Sequence, residues 1–350
     1  MKFSIIIPCY NAEQFVDRSI ASAVYQNFDK SEYEIIVVND ASTDNTLAKL
    51  NEWKDRYPEL VKVITYEENL RQGGARNAAM RDACGEYVCF LDADDRYDIN
   101  CLLNYDKLIQ ETKADMVVTS HRDESKYVDD LSEYECSSKM RGYSEPPSVI
   151  RIFDNNSELS EIIASEFGYV WCSAYKRNII IDNDIFFPEK LAYEDIYWPR
   201  IYELYAGKIC VSDVTTYYRY DNPTSTMNKK NASHHLDRLT VYEILLSKYE
   251  ALGVLNREYR CILNQTFEKY YFNSYYMFFT RMDDIPDVYA RIRKVIYHYF
   301  PDWEVQYDDS SLPMYFQYMV KLLKKAVNMS PSDMLPFKES LIEILKEKDE

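Results

Sequence analysis

A short apolar run turns abruptly acidic at residues 87–95, which read Tyr87-Val88-Cys89-Phe90-Leu91-Asp92-Ala93-Asp94-Asp95. Its first five residues are typical of a buried parallel strand, which is covered on both faces and so lacks polar alternation. Three carboxylates follow within four residues, and ionising them together is unfavourable unless a cation shares the site. Such oxygen clusters suit Mg²⁺ or Mn²⁺, although a solvated turn in which Asp94 or Asp95 caps the next helix fits this segment equally well.

Similar apolar, β-branched runs predict four further strands in the first 120 residues, at Phe3–Ile7, Glu34–Val38, Val61–Tyr66 and Met116–Thr119. Helical patterns lie between them. One is Ala12–Tyr25 behind Asn11 as its N-cap, and another, capped by Ser42 or Thr43, runs to Tyr57. This alternation favours an α/β fold with an open, mainly parallel sheet and helices on both faces. Ligands of such sheets bind beyond the carboxyl ends of the strands.

Polar loops follow the three earlier strands of this set, and they contain Pro8-Cys9-Tyr10-Asn11, Asn39 to Asp44, and Glu67 to Asn77. Asp40 can accept hydrogen bonds from a base N–H group, although by itself it fits an Asx turn better. The pair Gly73-Gly74 predicts a close backbone approach or a positive φ. Arg76 then either faces a phosphate or is solvated at a helix start.

The second half of the chain changes character twice. Residues 120 to 165 are polar and irregular, which predicts a mobile connection or an insertion that faces an acceptor. The chain is strand-like again from Tyr169 to Met227, with Ile179–Phe187 and Lys208–Tyr220 as its apolar parts, and helical from Ser233 onward. We expect a boundary near Asn231, between a domain at 1–230 and a helical domain at 231–350.

Composition excludes several classes of protein. The 41 Lys and Arg against 58 Asp and Glu give a net charge of −17, which disfavours nucleic acid as a partner. No apolar run approaches the roughly 20 residues of a membrane helix. The eight cysteines contain no C-x-x-C pair, so we expect reduced thiols in a cytoplasmic protein. A nicotinamide-dependent dehydrogenase would need G-x-G-x-x-G where this chain has Pro8-Cys9-Tyr10-Asn11.

Taken in chain order, the strand-end motifs resemble those of family 2 glycosyltransferases with the GT-A fold, of the type that builds bacterial cell-surface polysaccharides. Three segments of the second half resemble this family as well: Trp171 to Arg177, Phe187-Pro188-Glu189 with Tyr193-Glu194-Asp195, and Tyr217-Tyr218-Arg219. The resemblance covers about Lys2 to Met227. It divides the first domain into a nucleotide-sugar-binding half at 1–120 and an acceptor and catalytic half at 121–230.

The resemblance implies an inverting transfer of a hexose or N-acetylhexosamine from a nucleotide-diphosphate sugar, with UDP the usual carrier. The acceptor would be a hydroxyl of a glycan or of a lipid-linked glycan, and Mn²⁺ or Mg²⁺ would assist. No Trp follows an Arg, so the Gln-x-x-Arg-Trp signature of processive synthases is missing and one sugar is expected at a time. The alternative is a catalytically degenerate protein that binds sugar nucleotides or serves as an assembly partner.

The resemblance also implies a role for each matching residue. The residues that would bind the nucleotide are Pro8, Tyr10, Asn11 and Asp40. The rest of the donor would contact Asn69, Arg76, Asp92 and Arg219. Beside Arg219 would lie Ser225 and Thr226. Asp94 would ligate the metal, with Asp92 as a second ligand. Asp195 would be the general base that takes the proton of the acceptor hydroxyl. Glu194 would orient either Asp195 or the acceptor hydroxyl.

Several of these residues have structural alternatives. Glu194-Asp195 can simply start a helix at Ile196–Tyr205, where acidic residues suit the helix dipole. Trp171 stacks on a sugar or fills the core. One of His234 and His235 is a metal ligand, or both are solvated at a helix start. The C-terminal helices can form a homodimer or contact the inner face of a membrane through Lys321, Lys324 and Lys325, or that patch is a solvated helix end.

Overall fold

The computed structural model describes residues 1–125, 148–165, 167, 169–222, 233–274, 288–306, 317, 320, 323 and 324. The chain divides into two compact units, Met1–Thr224 and Ser225–Glu350. Four residues that were singled out from the sequence, Ser225, Thr226, Lys321 and Lys325, lie outside the described residues. The predictions made for them therefore stay predictions.

The first unit is built on one mixed sheet, which has nine strands in the described part of the chain. The strands are β1 Phe3–Cys9, β2 Tyr33–Asp40, β3 Val61–Tyr66, β4 Tyr87–Phe90, β5 Arg96–Tyr97, β6 Met116–Glu124, β7 Val149–Asp154, β8 Ser173–Lys176 and β9 Lys208–Tyr220. Their order is β3-β2-β1-β4-β8-β6-β9-β5, and β7 pairs with β9. All five strands predicted in the first 120 residues are present.

The parallel part of the sheet is β3-β2-β1-β4, as expected of strands that are apolar throughout. Every residue of β1 and of β2 is buried. From β4 onward the sheet departs from the mainly parallel prediction, because β8 is antiparallel to both β4 and β6. Only β6 and β9 are parallel to each other in this part. The reversal places the second half of the unit beside the carboxyl ends of β1, β2 and β4.

The helices of the first unit are α1 Val16–Val24, α2 Thr46–Arg56, α3 Arg71–Asp82, α4 Cys101–Thr112, α5 Asn155–Ala164, α6 Arg177–Asp182 and α7 Trp198–Tyr205. The predicted caps of α1 and α2 are wrong. Asn11 has φ 49° and its side chain accepts a hydrogen bond from Thr43 N at 2.8 Å, so it joins two loops instead. Asp44 Oδ1 accepts from Thr46 N at 3.0 Å, which leaves neither Ser42 nor Thr43 as the cap of α2.

The prediction of a strand at Ile179–Phe187 is also wrong. The segment begins inside α6 and continues as a loop. Asn183 Nδ2 donates to Ile179 O at 2.9 Å and closes the last turn of the helix. Apolar runs of this length do not distinguish a buried strand from a short helix. Ile180 is buried and Ile181 is 38% exposed, as the short helix turns successive side chains to different sides.

The described residues of the second unit are helical, as predicted. The elements are α8 Asp237–Ala251, α9 Val254–Arg257, α10 Tyr259–Gln265, a π-helix at Thr266–Phe272, α11 Val288–Tyr299 and α12 Trp303–Gln306. His234 and His235 lie in a 3₁₀ turn before α8. Among the residues that the structure describes, no helix has the length and apolarity to cross a membrane. Membrane contact and homodimer formation by this unit stay predictions.

Candidate active site

The carboxyl ends of β1, β2 and β4 meet at one edge of the sheet, and the predicted donor-side residues lie there. Pro8 is buried, whereas Tyr10 is 52% exposed. Asp40, the last residue of β2, is buried, and its Oδ1 accepts a hydrogen bond from Leu70 N at 2.7 Å. Burial raises the pKa of this carboxyl. Asp40 therefore fixes the start of α3 as well as facing this edge.

The segment after β3 is a helix start and not the long loop that the sequence predicts, because α3 already begins at Arg71. The Asn69 side chain is exposed, and its Oδ1 accepts from Arg71 N at 2.9 Å. Gly73 and Gly74 both lie within the helix. The close approach predicted for this pair is present: a Cβ on Gly73 would stand 2.6 Å from Pro188 O.

Helix α3 holds the segment that carries Glu194. The Asn77 side chain accepts from Phe187 N at 2.8 Å and donates to Phe187 O at 2.9 Å. These two hydrogen bonds satisfy the backbone N–H and C=O of Phe187, as a neighbouring strand would do in a sheet. Together with the contact at Gly73, it fixes residues 187–189 against the helix.

Arg76 joins the two acidic motifs. Its side chain is 2% exposed, Nη2 donates to Asp92 Oδ1 at 2.8 Å, and Nη1 donates to Glu194 Oε1 at 2.6 Å. The charge of Asp195 also acts on this guanidinium. A buried cation needs such partners, since an unpaired charge is strongly unfavourable in the interior. Arg76 is thus not solvated, and two of its nitrogens donate hydrogen bonds to carboxylates.

The two carboxylates of the second motif differ in exposure. Glu194 is buried, and burial raises its pKa to about 7 against the opposing charge of Arg76. Asp195 is only partly buried, so its carboxylate is within reach of a bound molecule. Tyr193, directly before them, has φ 64°. Left-handed backbone is strained for a bulky residue and often marks a functional segment.

The acidic triplet after β4 separates into three roles. Asp95 is structural: its Oδ2 accepts from the Tyr217 hydroxyl at 2.6 Å and its Oδ1 from Tyr220 N at 2.7 Å. Burial, with the nearby charges of Asp94 and Asp92, raises its pKa to about 8. Asp92 pairs with Arg76, and neither Asp94 nor Asp95 caps α4, whose N-cap is Asn100.

Asp94 is the carboxylate of the triplet that suits a divalent cation. Burial raises its pKa, its Oδ2 accepts from Asn222 Nδ2 at 3.0 Å, and the buried Arg18 donates to its main-chain oxygen at 3.1 Å. Within the described ranges, no group of three or more His, Cys, Asp or Glu residues forms a metal cage. The residues fit an ion that arrives with a diphosphate, because phosphate oxygens then complete its coordination.

Two further predicted residues lie beside this cluster. Trp171 is 6% exposed and stacked between Tyr169 and Tyr217, which favours the packing alternative over direct contact with a sugar. Arg219 is 42% exposed and pairs with Asp123 at 2.8 Å. His235 is buried in the second unit, so a solvated helix start is wrong for that residue.

Sequence reasoning missed four residues that shape the site: Arg18, Asn77, Asp95 as a structural group, and Tyr217 as its partner. Asn77, Asp95 and Tyr217 stand inside the quoted motifs, so their positions were marked but not their roles. Arg18 lies in α1, the helix that follows β1, and nothing in the local sequence pattern distinguishes it from a surface arginine.

The chain is similar to known glycosyltransferases. The family model described as Glycosyl transferase family 2 matches residues 4–183, more than half of the chain. The poly(ribitol-phosphate) beta-N-acetylglucosaminyltransferase TarS of Staphylococcus aureus is 29% identical over 260 residues, which are 71% of this chain and 42% of that protein. The chain thus matches about two-fifths of the length of this curated relative.

Solved structures show the same fold. Residues 1–349 of S. aureus TarS in complex with UDP-GlcNAc have a TM-score of 0.70 at 24% identity, over 99% of this chain and 92% of that one. The mannosyltransferase PcManGT from Pyrobaculum calidifontis, in complex with GDP-Man and Mn²⁺, has a TM-score of 0.53 at 14% identity, over 99% of this chain and 86% of that one. The predicted GT-A fold with additional C-terminal helices is confirmed.

Proposed function

Because the chain belongs to glycosyl transferase family 2, we propose that it transfers a hexose or N-acetylhexosamine from a UDP-sugar to an acceptor hydroxyl of a glycan or glycolipid. The transfer inverts the anomeric carbon and adds one sugar at a time. One observation carries the proposal. Arg76 ties Asp92, on the donor side, to Glu194 beside Asp195, so the residues expected to bind the donor and the expected base belong to one buried charge cluster.

Donor binding falls to the edge formed by β1 and β2 and to the acidic loop. Pro8, Tyr10, Asn11 and Asp40 hold the nucleotide in this proposal. Asn69 borders the same edge, and Asp92 contacts the ribose or the sugar. Arg219 faces the diphosphate, with a side chain that is 42% exposed.

A divalent cation, Mn²⁺ or Mg²⁺, held by Asp94 with Asp92 nearby, would stabilise the charge that develops on the departing diphosphate. The clustering of the acidic residues in this loop supports the assignment, because burial and the charges of neighbouring carboxylates raise the pKa of Asp94 and of Asp95. Arg18 and Arg76 offset part of the negative charge of this cluster from the protein side.

Asp195 takes the proton from the acceptor hydroxyl while the hydroxyl oxygen attacks the anomeric carbon, and the bond from that carbon to the diphosphate oxygen breaks. The electron pair leaves with the nucleoside diphosphate. Glu194 and Arg76 are positioning residues, because they fix the backbone and charge around Asp195 and are themselves buried.

The test is release of UDP from UDP-GlcNAc and UDP-glucose, with Mn²⁺ or with a chelator. We expect slow metal-dependent release by the wild type and none by Asp94→Ala. Asp195→Asn keeps donor affinity while transfer falls roughly 10²-fold or more, the usual scale for a general base. The exposed Asp55→Asn on α2 is the matched control. A wild type that binds UDP-sugar but never releases UDP would support the degenerate binding protein instead.

A further inference from the structure

Beside the acidic loop lies an exposed aromatic ring that none of the roles above uses. Tyr169 is 45% exposed. It stands in extended backbone, with φ −92° and ψ 151°, directly before the 3₁₀ turn Val170–Cys172. Trp171 is not free to stack on a sugar, because Tyr169 covers one of its faces and Tyr217 the other.

The Tyr169 ring is held in place by its neighbours. Trp171 stacks on it with ring centroids 4.5 Å apart and planes at 4°. His121 meets Tyr169 edge-on at 5.4 Å and Trp171 edge-on at 5.0 Å. Since Trp171 occupies one face of the Tyr169 ring, the exposed area includes the opposite face. A ring fixed in this way loses little conformational entropy when a ligand binds.

The stack connects this exposed face to the candidate catalytic residues. Tyr217 covers the second face of Trp171 with centroids 4.2 Å apart, and the Tyr217 hydroxyl accepts from Asp92 N at 3.2 Å. Only two stacking distances therefore separate Tyr169 from the ring that contacts the acidic loop. Tyr169 belongs to the β6-β8-β9 half of the sheet, whereas the proposed base-binding residues belong to β1 and β2.

Polar groups lie next to the ring on the same face of the sheet. His121 and Asp123 are two residues apart on β6, so their side chains project to the same side. They are opposite Tyr217 and Arg219 on β9. The Asp123 side chain is 56% exposed. His121, which contacts the Tyr169 ring, has its Nε2 3.8 Å from Asp123 Oδ1, and Arg219 Nε donates to the same oxygen. A flat aromatic face with a carboxylate nearby matches a pyranose ring, which presents C–H groups on one face and hydroxyls around its rim.

We propose that Tyr169 is the stacking platform of the acceptor subsite and that Asp123 accepts hydrogen bonds from hydroxyls of the pyranose unit that lies on it. The inference rests on the proposed function, since the pyranose belongs to the acceptor whose hydroxyl reaches Asp195. An open-chain polyol phosphate has no flat C–H face and would not use this ring. Tyr169 is thus a residue that determines acceptor specificity.

Binding is tested by saturation-transfer NMR with the methyl β-glycosides of glucose, galactose, N-acetylglucosamine and N-acetylgalactosamine, with ribitol 5-phosphate as the non-pyranose control. We expect saturation transfer from the protein to the C–H protons of at least one pyranoside, both for the wild type and for Tyr169→Phe. Tyr169→Ala and Tyr169→Leu should weaken that binding about tenfold, the factor that an aromatic contact of this kind provides. Tyr169→Leu still covers Trp171, which separates stacking from folding.

UDP affinity with Mn²⁺ and metal-dependent UDP release by the wild type serve as separate readouts, and all three Tyr169 variants should keep the UDP affinity of the wild type. If the wild type neither binds UDP nor releases it, the proposed function is contradicted. The glycoside result then reports on the Tyr169 ring alone. The platform is overturned if no pyranoside binds to protein that binds UDP, or if Tyr169→Leu binds pyranosides as well as Tyr169→Phe does. Binding of ribitol 5-phosphate that depends on the Tyr169 ring would also overturn it.

Discussion

At the scale of single residues, Arg76 shows that the partners of a charged side chain depend on distant segments of the chain. Its position after two glycines predicts either a phosphate partner or a solvated side chain at a helix start. The structure instead gives it Asp92 and Glu194, the second of which is 118 residues away in the chain. The guanidinium is 2% exposed, so it supplies buried positive charge to both carboxylates.

Arg76→Met should lower the free energy of unfolding by about 3–5 kcal/mol, because breaking a buried pair leaves carboxylates without a counter-charge. Urea unfolding measures the change. The exposed Arg260→Met on α10 is the control and should stay within about 0.5 kcal/mol of wild type. Equal stability of the two variants would show that the Arg76 pairs contribute nothing net.

Asp95 gives a prediction for pH. Its pKa is raised to about 8, so the folded chain holds a proton there that the unfolded chain has already lost. That stabilisation is complete below the ordinary pKa of Asp and is lost as the pH rises through 8. In chelator, the unfolding free energy of wild type should therefore fall from pH 5 to pH 8 relative to Asp95→Asn, by at most about 1.4 kcal/mol per pH unit. Parallel curves for the two proteins would contradict this.

At the scale of elements, the central contact is between α3 and the segment 187–194. Gly73 permits it, and the Asn77 side chain and Arg76 fasten it. The first glycine of the motif therefore serves the docking of this segment on the helix, whereas a Cβ on Gly74 would meet Leu70. Positive φ values at Asn11, Ala41 and Tyr193 mark turns just after β1, directly after β2 and directly before Glu194.

Gly73→Ala should disturb this docking, since its Cβ would stand 2.6 Å from a main-chain oxygen. We expect a loss of about 1–3 kcal/mol in unfolding free energy, as for an overpacked core, and a fall in kcat larger than any change in donor KM. Gly207→Ala is the control, because the nearest atom to its Cβ is a carboxylate oxygen of Asp115 at 3.1 Å. Wild-type kcat in Gly73→Ala would show that the segment does not depend on this contact.

At the scale of the whole molecule, the net charge of −17 opposes the binding of an anionic donor. The proposed donor needs local positive charge, which the described residues supply only partly through Arg18, Arg76 and Arg219. In the proposed function, a cation that shares the diphosphate supplies the remainder of the positive charge.

Thermal unfolding tests this shared binding. Mn²⁺ alone should shift the melting temperature little, because the chain contributes only one or two carboxylates. UDP with Mn²⁺ should stabilise by about 2.7 kcal/mol at a hundredfold excess over Kd, and Asp94→Ala should lose that effect. A large shift with Mn²⁺ alone would point to a complete protein cage and contradict the proposed coordination.

Local periodicity and composition were enough to predict the strands of the first half and the helices of the described C-terminal residues, and to locate the acidic motifs. The partners of Arg76, the structural role of Asp95 and the exposure of Tyr169 became visible only in the folded chain. Each of these depends on which distant segments meet when the sheet reverses at β8. Burial and long-range pairing, which set pKa values and side-chain exposure, have no signature within a single stretch of sequence.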